Sequence, residues 1–152
     1  MIRIKEISES NIQNVDEIIA LSKEAETYLS SFEWCNEIID GWLVKDWGFM
    51  LCIFYFKIAP SENSGADNSV WIIVGDIPPA YIDIKSGPNE YEALSSYIFL
   101  MEDWINHVNQ NKSVKDCYPI NVEPSKDYAN MLSSRIKIIK EDFLPEVKKE
   151  LN

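Results

Sequence analysis

A chain of 152 residues with 46% apolar and 26% charged side chains is long enough to bury roughly 70% of its unfolded surface and too hydrophobic to stay disordered. Its 25 Asp and Glu against 14 Lys and Arg leave a formal charge of -11. That field repels phosphate backbones and anionic lipid, which excludes nucleic acid and membrane surfaces as partners and favours a basic protein.

The three cysteines, Cys35, Cys52 and Cys117, lie far apart with no paired spacing, as expected of a reduced compartment. The opening residues Met1 to Glu6 are charged and predict no secretory leader, and the longest apolar run, Phe49 to Phe56, is too short to span a bilayer as a helix. A cytoplasmic protein is expected.

Taken in order, Ile2, Ile4 and Ile7 alternate with charge and predict a short opening strand. Ile12, Val15, Ile18, Ile19, Ala25, Leu29 and Phe32 then fall on one helical stripe, with Ser10 and Gln13 placed for a capping box. Ser30 and Glu33 repeat the capping spacing, and Gly41 offers a left-handed stop, so a second short helix is expected before Gly41.

The stretch Gly48 to Ile58 is nearly continuous in apolar and aromatic residues, the mark of a strand buried on both faces. Ala59 to Ser69, rich in Ser, Asn and Asp with Pro60 and Gly65, reads as an exposed loop joining it as a hairpin to a second buried strand, Val70 to Val74. Gly75 to Ala80 holds Pro78 and Pro79, which cannot donate to a ladder, and so reads as a break, after which Tyr81 to Ile84 resumes a strand.

Ser86, Gly87 and Pro88 open a helix whose stripe is Tyr91, Leu94, Tyr97, Ile98, Met101, Trp104, Ile105 and Val108. Asp116 to Val122 is irregular or a short edge strand. A last helix starts at Pro124 and Ser125, carries Tyr128, Leu132, Ile136, Ile139 and Phe143 inward, and is kinked or divided by Pro145. One α+β domain over residues 1–152 follows, mainly an antiparallel sheet with amphipathic helices packed on it.

The search for chemistry yields few candidates. His107, the single histidine, flanks the helix stripe and reads as a surface side chain; a Cys–His dyad would need tertiary convergence that nothing in the sequence signals. No His and Cys cluster has metal-ligand spacing and no glycine-rich phosphate loop or nucleophile elbow is present, so neither cofactor nor metal nor catalytic residue is expected. Asp76 and Asp83 flank the double-proline break, where with Tyr81 they would line a pocket, although turn capping accounts for both. Trp42 and Trp47, near a predicted turn beside Lys45 and Asp46, are the first candidates for interface anchors.

The run Trp71-Ile72-Ile73-Val74-Gly75-Asp76-Ile77-Pro78-Pro79-Ala80-Tyr81, preceded by Phe32-Glu33-Trp34-Cys35 and followed by the Tyr91 to Trp104 helix, resembles an uncharacterised family of small acidic bacterial proteins. That resemblance covers most of the chain and implies a bacterial origin but no mechanism. A second likeness, in size and charge alone, is to bacterial immunity proteins. The functional expectation is a non-catalytic module that binds a basic partner, such as a toxin it neutralises. The alternative is a small enzyme or ligand-binding domain with its pocket at the Gly75 to Tyr81 break.

Overall fold

The computed structural model describes residues 1–151. Five strands form one antiparallel sheet in sequence order: β1 (Ile2–Arg3), β2 (Cys35–Asp46), β3 (Leu51–Pro60), β4 (Ser69–Gly75) and β5 (Ile77–Asp83). Helix α1 (Val15–Ser30) packs on one face. Helices α2 (Glu90–Asn109), α3 (Lys126–Ile138) and α4 (Leu144–Glu150) contribute to the core on the other. The architecture is α+β, as the pattern of elements predicts.

Alternation along the strands sorts the core into two halves. Leu51, Ile53, Trp71, Ile73, Ala80 and Ile82 point toward α2, where they meet Leu94, Tyr97, Ile98, Met101 and Trp104. Their neighbours Cys52, Phe54, Phe56, Val70, Ile72 and Val74 point the opposite way, onto Ile18, Leu21, Ala25 and Leu29 of α1. Register confirms the sorting, since Ile53 pairs with Ile73 and Ile73 with Ala80. Central strands with no wet face therefore account for the unbroken apolar run.

Several elements depart from expectation. The predicted second helix is instead β2, a twelve-residue strand. Its β-branched residues Ile38, Ile39 and Val44 favour a pleated backbone, and β3 offers a ladder that outweighs the local capping signal. Gly41 is not a helix stop. A Cβ there would lie 2.6 Å from the Phe56 ring and 2.7 Å from Ile4 Cδ1, so glycine makes room for both. The opening strand is only Ile2–Arg3 and turns at once into a 3-10 segment, Ile4–Glu9. No capping box forms at Ser10, because α1 begins five residues later behind Asn14, which is left-handed at φ 58°.

The double proline does not break a strand. β5 runs through Pro78 and Pro79 as an edge strand, and the interruption lies just before it, at a tight turn through Gly75 and Asp76. Gly75 has φ 151° and sits so close to β3 that a Cβ would come within 2.2 Å of the Met50 carbonyl oxygen, so only glycine fits. Asn89 rather than Ser86 caps α2, accepting from the Glu92 amide at 2.9 Å. Ser125 caps α3 as its position predicts, accepting from the Tyr128 amide. Between α3 and α4 the chain loosens into a π-helical turn, Ile139–Phe143. Pro145 lacks the amide that would continue the α register, and so divides this last helix as expected.

Ile98 sits only 4% exposed between α2 and the sheet. Ile98→Ala should destabilise the fold by about 2 to 5 kcal/mol. Denaturant unfolding measures this, and a loss below about 1 kcal/mol would be a surface-site value at odds with the packing.

Candidate functional site

The five side chains singled out from the sequence go to different places. Asp76 stands just before β5 and Asp83 at its far end, seven residue steps or roughly 23 Å apart along an extended strand. They cannot act on one substrate atom. Asp76 accepts from Arg135 Nη2 of α3 at 2.9 Å. Asp83 closes the turn after β5 by accepting from the Ser86 amide at 2.7 Å. Both carboxylates therefore do the work of turn and ion-pair chemistry, and the surface at the double proline is an open cleft between β5 and α3 closed at one end by the Asp76 to Arg135 pair.

Trp47 is committed to the fold. Its ring lies flat on Phe143, with centroids 4.4 Å apart and planes 6° from parallel, and its Nε1 donates to Glu146 at 2.7 Å, fastening α4 to the end of β2. Trp42 is partly exposed, tilted against Tyr55 across the β2–β3 ladder with the Arg3 guanidinium over its ring. Of the pair, Trp42 alone keeps free surface without a hydrogen-bonded anchor.

Tyr81 and Asp83 do share a concavity. An open groove of about 480 Å³ runs between the end of β5 and the first turns of α2, lined by Tyr81, Asp83, Ser95, Ser96, Phe99 and Tyr118 among others. The strand supplies Tyr81 and Asp83, which alternate outward while Ile82 turns into the core. The helix supplies the two serines and Phe99 because its buried stripe uses Leu94, Ile98 and Met101, leaving these on the opposite side. Phe99 is 68% exposed, a large aromatic held at the rim.

An aromatic cluster forms the groove floor and its far side. The Tyr118 hydroxyl accepts from the Tyr81 amide at 3.0 Å, which satisfies a donor on the free edge of β5, and lies 2.6 Å from the Tyr28 hydroxyl. Tyr81 also makes edge contacts with Phe32, Trp34 and Tyr118 at 4.9 to 5.5 Å. Burial, reinforced by the bond to Tyr28, holds the Tyr118 hydroxyl well above its ordinary pKa, so it stays a neutral hydrogen-bonding group.

Sequence reasoning missed Phe99, Ser95, Ser96 and Tyr118. A readable signal existed for Phe99: it falls outside the α2 stripe, between two serines and the acidic pair Glu102 and Asp103, where a phenylalanine has no core to enter. Tyr118 gave no such signal, since only the return of its loop onto β5 assigns it a partner.

The structure brings a cysteine to His107, a convergence that nothing in the sequence signals. Asp103 and His107 stand one turn apart on α2, and Cys117 folds back onto them from the following loop. As a nucleophile the group is poorly suited. Cys117 is buried, and burial followed by the Asp103 and Asp116 carboxylates pushes its thiol up to about 11, so little thiolate exists at neutral pH. Cys52, packed beneath α1, is pushed up to about 12 by burial and the Asp46 charge.

No family model matches the chain, and no curated protein or solved structure does so. No helix among the described residues is long and apolar enough to cross a membrane.

Two outcomes follow from these contacts. Tyr118→Phe strips the Tyr81 amide of its acceptor and should cost about 1 to 3 kcal/mol, whereas Tyr28→Phe leaves that bond in place and should cost less; thermal denaturation of the two variants compares them. For Cys52, the folded state holds its proton more tightly than an unfolded chain with the ordinary value of 9.0. Its contribution to stability is therefore full below pH 9 and declines as pH rises toward 12. Thiol titration with a chromogenic disulfide at pH 8 should label Cys52 in the native protein slower than in denaturant by about a thousandfold from thiolate fraction alone, and equal rates would contradict the burial.

Proposed function

We propose that the chain is a non-catalytic binding module for a basic protein, and that the partner docks in the groove between β5 and α2. The observation that carries this reading is Phe99, a large aromatic 68% exposed at the rim of a groove lined by hydroxyls and the Asp83 carboxylate, on a chain of formal charge -11. A rim aromatic beside a concave surface has the form of a hot-spot anchor. Asp83 keeps an oxygen free for a lysine or arginine, and the exposed Phe99 ring lines the same groove. The net field steers a basic surface toward this site.

The absence of catalytic equipment in the groove supports binding over turnover. Its titratable side chains are one exposed carboxylate and two tyrosines, with neither an activated nucleophile nor a paired acid and base. The likeness in size and charge to bacterial immunity proteins makes a basic toxin of the same cell the first partner to test.

The test is capture of partners from the source cell by cross-linking, followed by binding kinetics with the purified candidate. A basic partner is expected, with association slowed by salt because the field is screened over a Debye length of about 8 Å at physiological ionic strength. Phe99→Ala should mainly speed dissociation and Asp83→Lys mainly slow association, while Trp42→Ala, on β2 and away from the groove, should leave both rates nearly unchanged. A neutral or acidic partner whose binding ignores salt would overturn the reading. Turnover of a small molecule that disappears in Asp83→Asn would replace it with the ligand-pocket alternative.

A further inference from the structure

Beyond the groove, α2 and the loop that follows it bring together three side chains of metal-binding character. Asp103 and His107 are spaced i, i+4 on α2, so both project from one side of the helix. Cys117 arrives from the turn closed by its own amide donating to the Val114 carbonyl at 3.0 Å. A carboxylate oxygen of Asp103, a ring nitrogen of His107 and Sγ of Cys117 all lie within 4.8 Å of one another.

From this geometry we propose that Asp103, His107 and Cys117 form a site for a zinc-class divalent cation, with a fourth position open to solvent. A tetrahedral ion with bonds of about 2.0 to 2.3 Å holds its donors roughly 3.3 to 3.8 Å apart, so a spacing of at most 4.8 Å lies within about 1.5 Å of the bound geometry. The donor set of thiolate, imidazole and carboxylate selects zinc or cobalt over magnesium and calcium, which take oxygen ligands.

Three further features fit. His107 Nδ1 lies 2.7 Å from the Asp103 carbonyl oxygen and 3.5 Å from Asp103 Oδ1, which holds the ring beside the carboxylate. The Asp116 carboxylate adds negative charge beside Cys117, where a cation would offset it. Burial is graded from Cys117 at 8% exposed to half-buried Asp103 and His107, which leaves an approach from solvent. On binding, the Cys117 sulfur forms the metal bond and its proton passes to solvent.

The consequence is structural. The metal would pin the loop carrying Tyr118 to α2, and Tyr118 holds the edge of β5 through the Tyr81 amide.

Chelator-treated full-length protein titrated with cobalt(II) tests the site directly. The expected result is one equivalent bound with a thiolate-to-cobalt charge-transfer band and the strong visible bands of tetrahedral cobalt, both lost on adding zinc. Cys117→Ser should abolish the charge-transfer band, and Cys35→Ser should leave it unchanged. His107→Gln and Asp103→Asn, at half-buried positions that the fold tolerates, should each weaken cobalt binding by about tenfold or more. Zinc should also slow hydrogen exchange in residues 111–122 of the wild type. Absence of the band in wild-type protein at micromolar concentration overturns the proposal. So does a band that survives Cys117→Ser, or unchanged affinity in both His107→Gln and Asp103→Asn should the cysteine variant fail to fold.

Discussion

Everything in this structure depends on a sheet whose central strands have no polar face. β3 and β4 carry apolar side chains in both directions, so neither face can meet water, and helical cover is needed on each. One helix suffices on the side of Cys52, Phe54 and Phe56, where α1 and the 3-10 segment bring Ile18, Leu29 and Ile7. The other face takes three, with α2 as the inner layer and α3 and α4 packed against it. The groove exists because α2 must cross the sheet beside β5, and its outward side there has nothing further to cover it.

A sheet of this kind also has two edges to protect. At β5 the chain places Pro78 and Pro79, which present no amide, and answers the Tyr81 amide with the Tyr118 hydroxyl. At the opposite edge β1 covers only Trp42 and Leu43, and the remainder of β2 is irregular, with register shifts at Cys35/Glu37, Ile38/Asp40 and Leu43/Lys45. Bulges and charged side chains such as Glu37 and Asp40 make that edge a poor template for another strand. The same edge logic turns an apparent strand break at the double proline into an ordinary edge strand.

What was legible in the sequence follows from how local each signal is. The α2 stripe, the β3 run, the loop after Pro60, the Ser125 cap and the division at Pro145 all rest on near neighbours along the chain, and each stands in the structure. β2 was misread because Ser30, Glu33 and Gly41 imitate helix punctuation, while the ladder that makes it a strand comes from β3, residues away. Tyr81 and Asp83 line one groove while Asp76 lines a separate cleft at the other end of β5, because the intervening proline pair extends the chain instead of folding it. Trp47 was offered as a free anchor, yet Phe143 and Glu146, almost a hundred residues on, claim its face and its indole proton. Nothing near Trp47 in sequence announces them.

The loop from Asn111 to Glu123 shows why long-range contacts, rather than motifs, decide what this surface can do. It has neither helix nor strand, and it is held by Val114 and Ile120 packed on the core, by Cys117, turned onto α2, and by Tyr118, turned onto β5. These adjacent residues point to different elements, so the loop bridges the helix and the strand that form the walls of the groove. Phe99, Asp103 and His107 follow one another at four-residue intervals on α2, which carries the rim aromatic and two of the three converging donors along one line of the helix surface. Cys117 and Tyr118 thus tie the end of α2 to the free edge of β5 through two adjacent residues, so the two walls of the groove share one connection that lies outside it.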